Sequence, residues 1–280
     1  MTETNGSLTR ELGRVDPEFA KLIKNIPRRD EPYLPPDWLH LQMVERYEVL
    51  SQTEIERDTN VLEVGSGHHA IATVPLSHMV GEGGRVTAVE IERWKHFDEI
   101  MRAAGLRERV IPLACDATQL PFPFECFDLA VIVHGIRSMR NEETITRILK
   151  EMLRVSPRIF VAESLPIAKT KAQAAHLEMY NLREQIFEAL TGTKDDIHYF
   201  PLGKLIELVE GASGEVVESR TLDVGLPHHL AFIPREYVEK IEEEQDRVVL
   251  LKRWQSAREK LMKYGEGHPP VGMVSAKRRE

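Results

Sequence analysis

The sequence is poor in several things that would each have named a class. No apolar run approaches the roughly 20 residues a membrane helix needs. The first residues, Met1-Thr2-Glu3-Thr4-Asn5-Gly6, lack the basic-then-apolar plan of a signal peptide, so a cytoplasmic protein is expected. Two cysteines, Cys115 and Cys126, make neither a disulfide framework nor a four-ligand metal site. There is no internal repeat and no low-complexity segment. Net positive charge is also missing: at −8 the chain has no general attraction for phosphate backbones, and nucleic acid is not expected as a partner. The short basic end Lys277-Arg278-Arg279 reads as a solvated tail. The 280 residues are enough to bury a full core, as one large domain or a domain with additions.

The most telling segment present is Asn60-Val61-Leu62-Glu63-Val64-Gly65-Ser66-Gly67-His68-His69-Ala70. Strand-forming residues run into two glycines, and a helix-spaced set from about residue 69 to 80 follows. A strand, a glycine turn and a helix let backbone approach a ligand closely and aim free N–H groups at it. Beyond it, strand-like runs at 85–91, 109–113, 127–133 and 158–163 alternate with helix-like runs at 93–104 and 142–154. That alternation predicts a parallel, doubly wound sheet with its ligand at the carboxyl ends of the strands. Residues 1–59 read as a helical extension: one helical pattern from Leu8 to Ile23, a Pro-rich link, then a helix from Trp38 capped by Asp37 with Leu39, Met43, Tyr47 and Leu50 on one stripe. After Pro166 a long helix is predicted over 167–190, then a helix from Pro201, a strand over 215–224, a charged helix or helix pair over 235–264 and a last strand from Pro270.

Two nucleotide readings fit the turn. Gly65-x-Gly67-x-x-Ala70 satisfies a relaxed dinucleotide fingerprint, and Glu90 ends the second strand where an acid can accept ribose hydroxyls of either cofactor. Glu63 separates the readings: a carboxylate two residues before the first glycine suits a cationic amino-acid moiety and repels a pyrophosphate. Asp116, after the third strand, can accept from an exocyclic adenine amine, and the backbone N–H of Ala117 can serve a ring nitrogen.

With these residues in order, the chain resembles the class I S-adenosylmethionine-dependent methyltransferases, from about Asn60 to Ala162. The elements are Val61-Leu62-Glu63-Val64-Gly65-Ser66-Gly67, Val89-Glu90-Ile91, Asp116-Ala117 with Leu120-Pro121-Phe122-Pro123, Phe127-Asp128-Leu129-Ala130-Val131, and Glu151-Met152-Leu153-Arg154-Val155. The Leu-Pro-Phe segment before Phe-Asp-Leu is similar to the branch of quinone-biosynthesis and small-molecule methyltransferases. The resemblance implies a Rossmann-like, seven-stranded, mostly parallel sheet with helices on both faces, as a domain over 60–280 with helical insertions at about 164–200 and 225–268. It implies S-adenosylmethionine as cofactor: Gly65, Ser66, Gly67 and His68 under its methionine part with Glu63 nearby, Glu90 on the ribose, Ile91 on the adenine face, Asp116 and Ala117 at the adenine edge. His134, just beyond the fourth strand, falls near the sulfonium and is the candidate general base.

The chain also departs from the family's pattern. His69 stands where a third glycine is usual. His134-Gly135-Ile136-Arg137 lacks the Asn/Asp-Pro-Pro-Tyr/Phe motif for methylating planar nitrogens, which counts against a nucleobase or glutamine acceptor. A small-molecule acceptor is expected, with a protein side chain second and a homodimer allowed. A non-catalytic cofactor-binding subunit and an NAD-dependent oxidoreductase stay open as alternatives. No metal is expected, because the pairs His68-His69 and His228-His229 lack ligand spacing. Arg137 suits an anionic substrate group or a surface ion pair. Tyr180, His198 and Tyr199 are candidates beneath a lid helix, and Tyr33 and Trp38 for a cap on the cofactor pocket.

Overall fold

In the computed structural model, described for residues 4–279 except 30–33, 93, 95, 140, 194–198 and 228–232, seven strands form one sheet. They are β1 (Asn60–Val64), β2 (Arg85–Glu90), β3 (Val110–Ala114), β4 (Leu129–Val133), β5 (Arg158–Ser164), β6 (Gly214–Leu222) and β7 (Val271–Arg278), in spatial order β3-β2-β1-β4-β5-β7-β6. The first five run parallel, and β7 enters antiparallel between β5 and β6. The order reverses between β1 and β4, which opens a crevice at the carboxyl ends of those two strands. The Rossmann-like expectation agrees with this order.

The helices are α1 (Thr4–Leu12), α2 (Pro17–Lys24), α3 (Trp38–Leu50), α4 (Thr73–Met79), α5 (Phe97–Ala103), α6 (Glu142–Val155), α7 (Lys171–Thr191), α8 (Leu202–Gly211), α9 (Arg235–Glu239) and α10 (Glu244–Tyr264). The pattern read as one helix over Leu8–Ile23 is two, because Asp16 accepts the N–H groups of Glu18 and Phe19 and Pro17 opens the second. α4 starts at Thr73 rather than near 69: Gly65, Gly67 and Ala70 have φ of +74°, +63° and +50°, and left-handed backbone delays the helix. α7 starts at Lys171 rather than 167, set by a capping box between Thr170 and Gln173. Asp37 precedes α3 but does not cap it; its carboxylate pairs with Arg28 at 2.8 Å.

Alternation along the strands divides the core. Val61, Val86, Ala88, Val131 and Phe160 face the N-terminal helices, α4 and α5, while Leu62, Ala130, Ile132 and Val161 face α6 and α8. A third, smaller core is held between α7, α9 and α10 by Met179, Leu182, Ile186, Val238, Leu250 and Trp254. α3 differs from the stripe the sequence suggests. Leu39, Met43 and Leu50 are buried as expected, but so are His40, Gln42, Glu45 and Arg46, so the helix is enclosed nearly all round. No described helix is long and apolar enough to cross a membrane.

Candidate functional site

A cleft of about 470 Å³ opens at the carboxyl ends of β1, β2 and β3. Gly65, Glu90, Ile91, Asp116 and Ala117, five of the residues singled out in the sequence, meet around it. Glu90 ends β2 with its carboxylate tied at both oxygens: Gly67 N–H donates to Oε2 at 3.0 Å and Ile91 N–H to Oε1 at 2.8 Å. Ile91 is 66% exposed, an apolar side chain standing open at the rim. Asp116 accepts the Thr118 N–H and hydroxyl, both at 2.8 Å and both on Oδ1, and these bonds hold its carboxyl below the usual range. Its second oxygen remains for a donor from the cleft. Met139, Thr144, Arg147 and Ile148 also line this cleft, and nothing in the sequence singled them out.

Glu63, Ser66, Gly67, His68 and His134 are not in the cleft lining. Glu63 and Ser66 are buried around the glycine turn, and Glu63 Oε2 and Ser66 Oγ find no hydrogen-bond partner among the described residues. Burial pushes the Glu63 carboxyl up to about 8. A carboxyl with an unmet oxygen, beside a loop whose glycines lie left-handed, fits a cationic amino-acid head group. His68 is exposed and packs on His69, which stacks on His96 at 5.3 Å and meets the edge of Trp38 at 5.2 Å. Burial and the neighbouring histidines bring His69 down to about 4. Trp38 is thus joined to the glycine turn through His69. Tyr33, His198, His228 and His229 lie outside the described residues.

His134 is enclosed. It leaves β4 with φ +54°, a strained conformation for a residue with a side chain, and it is buried. Its Nε2 lies 3.0 Å from Glu45 Oε1 on α3; its Nδ1 lies 3.2 Å from Glu163 Oε1 and 3.1 Å from Ser164 Oγ at the end of β5. Burial and the Arg46 charge push its imidazole down to about 3, so it is neutral and only weakly basic. Desolvation of the cation outweighs the Glu163 carboxylate there.

Arg46 pairs with Glu45. Arg137 pairs with Glu163 at 3.6 Å, donates its own N–H to Glu163 Oε2 at 3.1 Å, and stands over the Tyr199 ring at 5.7 Å. It is therefore no surface ion pair. Tyr180 packs on Tyr199 at 4.6 Å, and burial pushes both phenols up. His268, just ahead of β7, completes the cluster, with Nε2 3.7 Å from Glu45 Oε1. Glu45, Glu163 and His268 escaped the sequence reading. The one local sign of them is an acid in the otherwise apolar run Ile159-Phe160-Val161-Ala162-Glu163.

Comparison with known proteins gives the chain relatives. Residues 40–191 match the ubiE/COQ5 methyltransferase family. The ubiquinone/menaquinone biosynthesis C-methyltransferase UbiE of Pectobacterium carotovorum is 28% identical over 148 residues, 52% of this chain and 59% of the relative. The chain therefore matches little more than half of that relative's length. Among solved structures, a cyclopropane-fatty-acyl-phospholipid synthase-like protein from Lactobacillus casei covers 94% of this chain and is itself covered completely, with TM-score 0.70 and 12% identity. A SAM-dependent methyltransferase from Aquifex aeolicus covers 92% of this chain and 97% of its own, with TM-score 0.51 and 17% identity. At such identities these two share the fold.

Proposed function

Because the chain belongs to the ubiE/COQ5 methyltransferase family, we propose that it transfers the methyl group of S-adenosylmethionine to a small-molecule acceptor. The observation that carries the reading is the buried Glu63 carboxyl, with Oε2 lacking a partner, beside the left-handed glycines. An α-amino group supplies the missing donor and the missing charge together. Glu90, already fixed by two backbone donors, turns its remaining lone pairs to ribose hydroxyls. Asp116 Oδ2 accepts from the adenine amine, and Ile91 covers the adenine face. Ser66 offers its buried hydroxyl to the methionine carboxylate. Bound S-adenosylmethionine supplies a methyl on a sulfonium, already a strong electrophile. The protein's part is to align the acceptor in line with that methyl and to exclude water.

The acceptor side is built from His134, Arg137, Tyr180 and Tyr199. His134, neutral and flanked by carboxylates, orients rather than removes a proton. Two phenols packed at a tilt beside a half-buried guanidinium suit a planar ring bearing oxygen. The relative is named as a C-methyltransferase of quinone biosynthesis, so a hydroquinone is the first acceptor to supply, with a protein side chain second.

Calorimetry with S-adenosylhomocysteine and NADH, followed by transfer of labelled methyl to hydroquinones, tests the reading. Binding of S-adenosylhomocysteine and labelled product are expected. Binding of NADH alone overturns the cofactor assignment, and cofactor binding without turnover on any acceptor points to a binding subunit.

A further inference from the structure

The cluster around His134 brings two imidazoles and a carboxylate to one buried point. His268 Nδ1 lies 2.6 Å from the Pro269 carbonyl oxygen, which can only accept. Nδ1 therefore carries the imidazole hydrogen, and Nε2 presents a lone pair toward Glu45 Oε1. A neutral His134 has one hydrogen and carboxylates on both sides, Glu163 at Nδ1 and Glu45 at Nε2. The tautomer with hydrogen on Nδ1, donated to Glu163, is the one that turns the Nε2 lone pair toward Glu45 Oε1 as a ligand. Glu45 also pairs with Arg46. Three electron-rich atoms then converge, all within 4.8 Å of one another, on residues that are all buried. A cation between them would accept all three at once.

We propose that Glu45 Oε1, His134 Nε2 and His268 Nε2 form a binding site for one divalent first-row transition-metal ion of the zinc type. Two imidazoles, one carboxylate and an open fourth position are the donor set of catalytic zinc sites. Ligand atoms around a tetrahedral ion with metal–nitrogen bonds of about 2.0–2.1 Å stand about 3.4 Å apart. The separations of 3.0 and 3.7 Å from Glu45 Oε1 bracket that spacing. The outer partners are those a ligating histidine uses: a carboxylate, Glu163, behind His134, and a backbone carbonyl, Pro269, behind His268. The donors are nitrogen and oxygen without sulfur, which suits Zn²⁺, Co²⁺ or Fe²⁺ over Mg²⁺ or Ca²⁺.

Charge supplies a second consequence. Arg46 balances Glu45 and Arg137 balances Glu163. A divalent ion therefore arrives with its charge uncompensated, and the open position favours an anionic oxygen. Granting the methyl-transfer reading, that oxygen belongs to the acceptor, an ionised enol or phenol whose adjacent carbon is the nucleophile. The metal site itself does not depend on that reading.

The test uses the full chain, stripped with chelator and titrated with Co²⁺, whose visible bands report four-coordinate geometry. One equivalent is expected to bind with tetrahedral bands, displaced by Zn²⁺. His268→Asn and Glu45→Gln should abolish the bands, whereas His96→Asn, in the His68-His69-His96 group, should leave them unchanged. Glu163→Gln removes an outer partner and should weaken binding by about 10–100-fold. Circular dichroism of the metal-free variants separates unfolding from lost ligation. S-adenosylhomocysteine calorimetry on the same samples reports the cofactor site independently. Absence of stoichiometric Co²⁺ binding by a folded chain overturns the proposal, as does binding that survives His268→Asn or is lost in His96→Asn.

Discussion

The Gly67 N–H donates to Glu90 Oε2 at 3.0 Å, so the turn after β1 is fastened to the end of β2. With Ile91 N–H on the other oxygen, the carboxylate is held at both ends by backbone. A Glu90→Gln side chain can accept only one of these bonds and sets an NH₂ against the other donor. The glycine turn should loosen, and S-adenosylhomocysteine affinity should fall by about 10-fold or more, as expected for loss of a charge-assisted hydrogen bond. Calorimetry at fixed pH measures it. Unchanged affinity removes the link between loop and ribose acid.

Glu63 makes cofactor binding depend on pH. Its carboxyl titrates at about 8 in the folded protein, so below that pH it is neutral and must lose a proton to face an ammonium group. Affinity for S-adenosylhomocysteine should rise with pH by up to about tenfold per unit below 8, with proton release visible in buffers of different ionisation heat. Glu63→Gln should flatten this dependence and bind weakly throughout.

The same residue has a consequence for stability. Its folded value lies above its unfolded one, so its contribution is full below the unfolded value of 4.5 and is lost as pH rises through 8. The ligand-free protein should therefore be less stable than Glu63→Gln at pH 9 and closest to it at pH 5. Denaturant midpoints of both proteins at the two pH values check the sign.

Asp116→Ala should lower affinity by about 10–100-fold, the cost of one lost charged hydrogen bond to the adenine amine. Asp116→Asn keeps an oxygen for Thr118 and should lose less than the alanine variant. If S-adenosylhomocysteine binds both variants as it binds the parent, the adenine edge lies elsewhere.

His134 should not titrate between pH 5 and 8. Burial and Arg46 hold it near 3, so its imidazole resonances should stay fixed in NMR spectra across that range. An inflection near 6.5 would restore it as a base.

The sequence disclosed the cofactor half because that half is local. Val61 to Gly67 is one strand and its turn, and Glu90 and Asp116 each sit where a strand stops, a place that periodicity and a change of residue type reveal. Glu45 and Arg46 lie on a helix with an acceptable apolar stripe, so their charges read as a solvated side. Only the tertiary enclosure of α3 buries them. His268 stands ahead of a strand in a His-Pro-Pro run that reads as a connection, and its partner is on α3. The helix read from about 69 starts late, at Thr73, for a different reason: Ala70 adopts a left-handed backbone that composition does not announce.

The cluster that joins α3, the end of β4, the end of β5 and the approach to β7 has a meaning for how the protein folds. Its contact between His134 and Glu45 spans 89 residues of chain, and its last member waits for the strand that enters the sheet last in chain order. Loops of that length close late. A nascent chain can assemble the glycine turn and adenosine cleft while this centre is still in pieces. Occupancy of the centre is thus a readout of completed folding, and a truncated chain should bind nucleoside before it can do anything with it.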